Sequence, residues 1–192
     1  MKIGVLALQG AFIEHVKMLR QLDVDAVEVR LPQQLEGLDG LIIPGGESTT
    51  IGKLATSYGL VKPLRDFAIS KPTWGTCAGM IFLAKDIGIK EQPILAAMDI
   101  QVNRNAFGRQ VDSFETDLKI QGLGDELFHA VFIRAPIVIA VEPHVNVLSR
   151  LDDGRIVAVR QDHLLATSFH PELTNDLRLH SYFCAIVKVG YT

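Results

Sequence analysis

The stretch Pro72-Thr73-Trp74-Gly75-Thr76-Cys77-Ala78-Gly79-Met80-Ile81-Phe82-Leu83 decides how the chain is read. It reads as a short buried strand, a sharp turn at Cys77 and the start of an apolar helix. Gly75 and Gly79 stand two residues either side of the cysteine. That spacing suits a nucleophile elbow, where a reactive side chain sits on a strained strand-to-helix turn and small neighbours avoid clashes. The N–H groups and dipole of the following helix then favour thiolate over thiol. A buried structural cysteine fits the same residues, because free cysteine is among the most buried residue types. Cys77 alone does not separate the two readings.

Outward from this stretch, strands and helices alternate. Ile3 to Leu8 is a near-continuous apolar run, the mark of a strand covered on both faces. Phe12, Val16, Leu19 and Leu22 recur at helical spacing. Ala26–Val29 and Gly40–Ile43 read as further strands, the latter ending at Pro44-Gly45-Gly46. A helix is predicted to begin within Ser48-Thr49-Thr50, good capping residues, and to stop near Gly59. Another runs from about Pro63 to Ile69. The β-α-β-α order implies an α/β fold with a mostly parallel sheet and helices on both faces. Functional groups of such sheets gather beyond the carboxyl ends of the strands. Gln9-Gly10, Gly45-Gly46 and Cys77 all fall just past a predicted strand end.

The second half changes character. Asp99–Val102, Thr116–Ile120, Ala130–Ile133, Val145–Leu148, Arg155–Val159 and Leu164–Phe169 read as strands, with Asp152-Asp153-Gly154 a good hairpin turn. They are expected to extend the sheet in antiparallel or mixed fashion. From about Leu173 an amphipathic helix closes the chain.

The 192 residues suffice for one domain with a full core. Net charge is −3, which gives no electrostatic case for nucleic acid or an anionic membrane. No run approaches the ~18 apolar residues of a membrane helix. The N-terminal apolar run is short, is interrupted by Gln9 and Gly10, and lacks a cleavage site, so a first strand explains it better than a signal peptide. Cys77 and Cys184 lie far apart and suit a reducing, cytoplasmic setting better than a disulfide framework. Cys184 falls in an apolar helix and reads as core.

Phe169-His170-Pro171-Glu172 ends the last predicted strand. Residues two apart on an extended segment share a side, and the residue before a proline is pushed towards extended geometry. Glu172 is therefore expected to reach one nitrogen of His170, leaving the other to take a proton from a thiol. That is the nucleophile, base and orienter logic of covalent catalysis. An incidental surface His-Pro-Glu is the bland alternative; the elbow cysteine and the Gly-Gly loop weigh against it.

Pro44-Gly45-Gly46-Glu47-Ser48 admits three roles: a tight turn, a phosphate cradle, or a backbone donor to an oxyanion. The P-loop pattern is not met, since Glu47 stands six before Lys53 and Leu54 follows it. A glutamate also argues against phosphate. The oxyanion reading is favoured, with the N–H groups of Gly46 and Ala78 as donors. The other histidines (His15, His129, His144, His163, His180) show no metal-ligand spacing. They are expected at the surface or in hydrogen bonds, with His15, beside Gln9, facing a partner.

These residues carry a resemblance. Gly-Thr-Cys77-Ala-Gly with His170-Pro171-Glu172 resembles the class I, triad-type glutamine amidotransferases. Gly4 to Gly10, Pro44 to Thr50, Asn105 to Gln110, Phe132 to Pro136 and Phe169 to Thr174 are similar, in order, to motifs of one branch, the glutaminase subunits of pyridoxal 5′-phosphate synthase. The resemblance spans nearly the whole chain and implies one amidotransferase domain over residues 1–192, flavodoxin-like with an antiparallel extension. It implies that Cys77 attacks the side-chain amide of L-glutamine, that His170 shuttles protons and that Glu172 orients it. The backbone of Gly46, Glu47 and Ser48 would hold the substrate, with Arg104, Ile133 and Arg134 closing the pocket. An arginine suits the substrate carboxylate; Arg104, Arg109 and Arg134 all qualify. No cofactor is implied. The implied partner is a barrel-shaped synthase subunit that receives ammonia. Trp74 and Ala96-Ala97 depart from the branch's pattern, and both are expected to affect local packing without touching the triad. Two rivals remain: an amidotransferase serving another acceptor, and a cysteine-bearing flavodoxin-like binding or redox module without turnover, which would not need His170 and Glu172 together.

Overall fold

Strands and helices alternate through the first half of the computed structural model, which describes residues 1–104 and 113–190. The Asn105-to-Gln110 motif, with Arg109, lies outside the described residues. The order is β1 (Lys2–Leu6), α1 (Phe12–Gln21), β2 (Asp25–Val29), β3 (Gly40–Ile43), α2 (Ser48–Ser57), α3 (Val61–Ser70), β4 (Thr73–Thr76) and α4 (Ala78–Leu83). Mostly strands follow: β5 (Ala84–Asp86), β6 (Met98–Asn103), β7 (Ser113–Leu118), β8 (Phe128–Ile133), β9 (Ile137–Val141), β10 (Asn146–Arg150), β11 (Ile156–Gln161) and β12 (Leu164–Thr167). Helix α5 (Arg178–Val189) closes the chain.

Among the described residues the main sheet has ten strands in the order β2-β1-β3-β4-β12-β11-β9-β6-β5, with β10 beside β11. From β2 to β12 every pairing is parallel. Strand β11 then turns the sheet antiparallel against β12, β9 and β10. The four strands whose ends were singled out, β1, β3, β4 and β12, are therefore neighbours at the centre of the sheet. The register sets their ends level: Ile43 pairs with Gly75, and Thr76 with Thr167.

Alternation along the strands divides the core between the two faces. Leu41 and Ile43 of β3 join a cluster with Ile51, Ala55, Leu64 and Phe82, under α2, α3 and α4. Ile42, between them, joins the opposite cluster with Leu19, Trp74, Leu179 and Phe183, under α1 and α5. Leu179, Phe183 and Val187 of α5 are wholly buried. Each such side chain stabilises the packed helix by roughly 1.5–3 kcal/mol. Among the described residues no helix is long and apolar enough to cross a membrane.

Four expectations are corrected. Strands β7 and β8 do not extend the main sheet; they form a separate antiparallel ribbon, packed by Phe128, Ala130 and Phe132 against the α1–α5 face. Strands β5 and β9 were not anticipated, the first being only three residues long. The last strand stops at Thr167, and Pro171–Leu173 is a 3-10 turn. The final helix consequently begins at Arg178, and Leu173 is half-exposed outside its apolar stripe.

Candidate active site

The elbow forms at Cys77, and its backbone is strained as the glycine spacing predicts. Cys77 has φ 48° and ψ −105°, a region that non-glycine residues rarely occupy. A Cβ added to Gly79 would sit 1.9 Å from the Ile43 carbonyl oxygen, and one on Gly75 would sit 2.4 Å from the Gly79 oxygen. Only glycines let β3, β4 and α4 approach this closely. The Cys77 N–H continues the parallel ladder by donating to Thr167 O at 2.8 Å, which seats the elbow beside the end of β12.

His170 comes to the same rim three residues beyond the end of β12. Its N–H donates to Val131 O at 2.8 Å, so the β7–β8 ribbon pins it from outside the sheet. Its Nδ1 lies 2.6 Å from Glu172 Oε1. The contact is as expected, but its cause is different. His170 has ψ 84° and leads into the 3-10 turn, so curvature brings the pair together instead of a shared strand face. Cys77 and His170 line the same cavity, and the sulfur helps to shift the imidazole towards its charged form. Cys77, His170 and Glu172 thus gather at one rim of the sheet, each nine-tenths or more buried.

The electrostatics follow from that grouping. Burial opposes a charge on His170, but hydrogen bonds to the Cys77 sulfur and the Glu172 carboxylate outweigh it and lift its pKa to about 10. Burial likewise opposes a charge on Glu172, and the neighbouring His15 and His170 overcome it, holding the carboxyl well below its ordinary range.

The Gly-Gly loop faces the triad across a cavity of ≈ 370 Å³, lined by Gly46, Glu47, Ser48, Cys77, Ala78, Arg104, Ile133, Arg134 and His170, among others. The described residues expected from sequence to bind substrate therefore line one pocket. The Gly45 carbonyl accepts from the Ala11 N–H at 3.2 Å, and the Gly45 N–H donates to Thr76 Oγ1 at 3.0 Å. C=O and N–H of a trans peptide point in opposite directions, so the Gly46 N–H turns away from the Gln9-to-Ala11 loop. The Ala78 N–H stands at the first position of α4, where no intrahelical partner exists.

Both backbone polar groups of Glu47 are engaged within the protein. Its N–H is held by Gln9 Oε1 at 2.7 Å, and its C=O by the Ile51 N–H at 3.0 Å. Glu47, not a residue of the Ser48-to-Thr50 run, is the N-cap of α2. Its carboxylate accepts from the Thr49 and Thr50 N–H groups at 3.0 and 2.7 Å. The Thr50 hydroxyl, followed by those N–H groups, brings the Glu47 pKa down to about 2 against a small cost of burial. Arg104 is held by Thr49 Oγ1 at 3.2 Å and by Gln92 Oε1, which aims it across the pocket mouth. Arg134 follows β8 with φ 42°, a turn that swings it into the same cavity.

Two residues behind the triad were misjudged. His15 does not face a partner: it is wholly buried, with Nε2 3.3 Å from Glu172 Oε2. Trp74 is more than local packing, since its ring meets the His15 and His180 imidazoles edge-on. A signal existed in the spacing. His15 falls on the Phe12-Val16-Leu19 stripe, and His180 on that of Phe183, Cys184 and Val187. Among the described residues no group of three or more His, Cys, Asp or Glu is placed to hold a metal.

Comparison with known proteins agrees with this fold. The chain is similar to proteins named pyridoxal 5′-phosphate synthase subunit PdxT. One from Carboxydothermus hydrogenoformans is 58% identical, covering 99% of this chain and 100% of the relative. Another from Moorella thermoacetica is 58% identical, covering 97% and 100%. A crystal structure of a glutamine amidotransferase superposes with a TM-score of 0.91 at 53% identity, covering 97% of this chain and 98% of that one. The model of the SNO glutamine amidotransferase family matches residues 5–189, and the chain belongs to that family.

Proposed function

We propose that this chain hydrolyses L-glutamine to L-glutamate and ammonia, as the glutaminase subunit of a pyridoxal 5′-phosphate synthase. The observation that carries the reading is the strained Cys77 elbow on one cavity with a His170 paired to Glu172, in a chain of this family. The Cys77 sulfur attacks the side-chain carbonyl carbon of glutamine. The negative charge that develops on the carbonyl oxygen is met by the Gly46 and Ala78 N–H groups, each worth ~3–4 kcal/mol of barrier. His170 gives its proton to the departing nitrogen, and ammonia leaves a γ-glutamyl thioester. His170 then takes a proton from water, which adds to the thioester and releases glutamate and the sulfur. Glu172 holds the imidazole in the tautomer both steps need. The backbone of Gly46, Glu47 and Ser48 lies alongside the substrate, with Ile133 beside it. Arg104 and Arg134 supply charge for its carboxylate.

The ammonia passes to a barrel-shaped synthase subunit. Two free cysteines suit the reducing cytoplasm for such a complex. The Gln9-to-Ala11 loop grips the oxyanion loop at Glu47 and Gly45, so a partner seated on that loop acts directly on the donors. Free chain is therefore expected to release glutamate slowly, and chain with synthase subunit much faster. Cys77→Ala is expected to abolish release, a loss of roughly 10⁴–10⁶-fold. Wild-type protein that releases no glutamate with synthase present would favour a non-catalytic module. Equal turnover with and without the synthase would refute control by docking.

A further inference from the structure

Glu172 has two carboxylate oxygens, and His170 uses one of them. The second, Oε2, is buried and faces the His15 imidazole, with Nε2 3.3 Å away. The approach is oblique, an ion-pair contact short of a well-aligned hydrogen bond, and Oε2 has no better partner among the described residues. His15 reaches this position from α1. Its Nε2 is also 3.3 Å from Thr76 Oγ1, and its Nδ1 is 2.8 Å from His180 Nε2 on α5. Trp74 walls both rings, with centroids 5.7 Å from His15 and 4.9 Å from His180, and fixes itself by donating to Thr167 Oγ1 at 3.2 Å. Neither histidine lines the substrate pocket.

We infer that His15 is a positioning residue of the glutaminase: it holds the second oxygen of Glu172, and His180 fixes which ring nitrogen it presents. The inference rests on the glutaminase reading and extends it by two buried side chains.

Proton bookkeeping supports the assignment. One proton lies between His15 Nδ1 and His180 Nε2. If His180 donates it, neutral His15 carries its own proton on Nε2, facing the carboxylate. If His15 donates it and is charged, Nε2 again carries a proton. The remaining form, with a bare Nε2 lone pair against a carboxylate oxygen, is repulsive. Burial, reinforced by the nearby His15, keeps His180 neutral, so it serves as a neutral partner in either arrangement.

The mechanical consequence follows. A buried carboxylate satisfied at one oxygen is costly and free to swing; one held at both is not. Thr76 carries the same set of contacts further. Its Oγ1 accepts the Gly45 N–H, and it immediately precedes Cys77. His15 therefore links the carboxylate end of the triad to the oxyanion loop and the elbow.

The test is a set of His15 variants assayed with the synthase subunit for kcat and KM. Iodoacetamide alkylation of Cys77 is measured on each free chain. His15→Leu removes the donor. His15→Gln places an amide N–H near the Nε2 position, and His15→Asn places it near Nδ1, away from Glu172. The Leu and Asn variants are expected to lose about tenfold to a hundredfold in kcat, with KM unchanged and slower alkylation. The Gln variant is expected to recover most of both. If His15→Leu does not fold, the Gln-to-Asn comparison decides alone. Equal kcat and alkylation rates for Gln and Asn would overturn the inference. Wild-type protein that alkylates normally yet releases no glutamate would instead overturn the glutaminase reading.

Discussion

The molecule contains the same pair of groups twice, in opposite surroundings. On the β7–β8 ribbon His129 lies between two carboxylates, 2.8 Å from Asp117 and 2.9 Å from Glu115. At the rim of the sheet His170 lies 2.6 Å from Glu172. Both imidazoles are shifted towards the charged form, His129 by its hydrogen bonds to Asp117 and Glu115. His129 is half-exposed, so water and salt screen its partners. His170 is 7% exposed, has one carboxylate instead of two, and shares its cavity with the Cys77 sulfur. Number of partners does not make a catalytic histidine. Exclusion of water does, together with a third group that needs the proton.

The largest effect that tests this contrast comes from neutralising the carboxylates. Glu172→Gln is expected to lower kcat for glutamate release by roughly 10³–10⁴-fold, because the imidazole loses its fixed tautomer. Glu115→Gln with Asp117→Asn is expected to leave kcat unchanged. A comparable loss from the ribbon pair would erase the distinction.

A smaller effect isolates geometry from charge. A Cβ on Gly45 would lie 2.3 Å from His170 Cε1 and 3.2 Å from Cys77 Cβ. Gly45→Ala therefore pushes the imidazole aside without removing a catalytic group. A loss of about 10²-fold is expected, of the size a 1 Å misplacement brings. Wild-type activity in this variant would mean that the ring moves freely and its placement beside Cys77 is not needed.

The smallest effect is on stability against pH. The Glu172 carboxyl is depressed in the folded state. Its contribution is present above its ordinary value of 4.5 and is lost as pH falls below it. The His170 pKa is raised from 6.5 to about 10, so its contribution is complete below pH 6.5 and fades as pH rises towards 10. Thermal unfolding midpoints should fall at both ends, and Glu172→Gln should flatten the acid limb. His129→Ala should change only a salt-sensitive fraction of the alkaline limb. A wild-type acid limb in Glu172→Gln would show that the buried carboxylate is not its source.

Much of the site was legible because each part is local. The elbow glycines, the Gly-Gly loop and His170 before Pro171 announce their chemistry within a few residues. The hairpin at Asp152-Asp153-Gly154 was readable for the same reason. What was misread depended on partners remote along the chain. The β7–β8 segment alternates like any half-buried strand, and nothing within it says whether it joins the sheet or covers a face. His15 and His180 sit on apolar stripes 165 residues apart, and each alone reads as an ordinary polar residue on a helix. The cap of α2 was expected within Ser48 to Thr50, because a glutamate cap resembles any loop glutamate until its two N–H donors are seen.

Residue order alone set out the groups available: a cysteine on a strained turn, a histidine before a proline with a carboxylate two residues on, and glycines where backbones must touch. Those are short-range demands of sterics and bonding. Folding decided which of the six histidines lie near which carboxylates, and whether water reaches them. Hydrogen-bond strength and charge depend on three-dimensional distance and burial, and pairs separated by more than a hundred residues acquire both only when the sheet and its flanking helices pack.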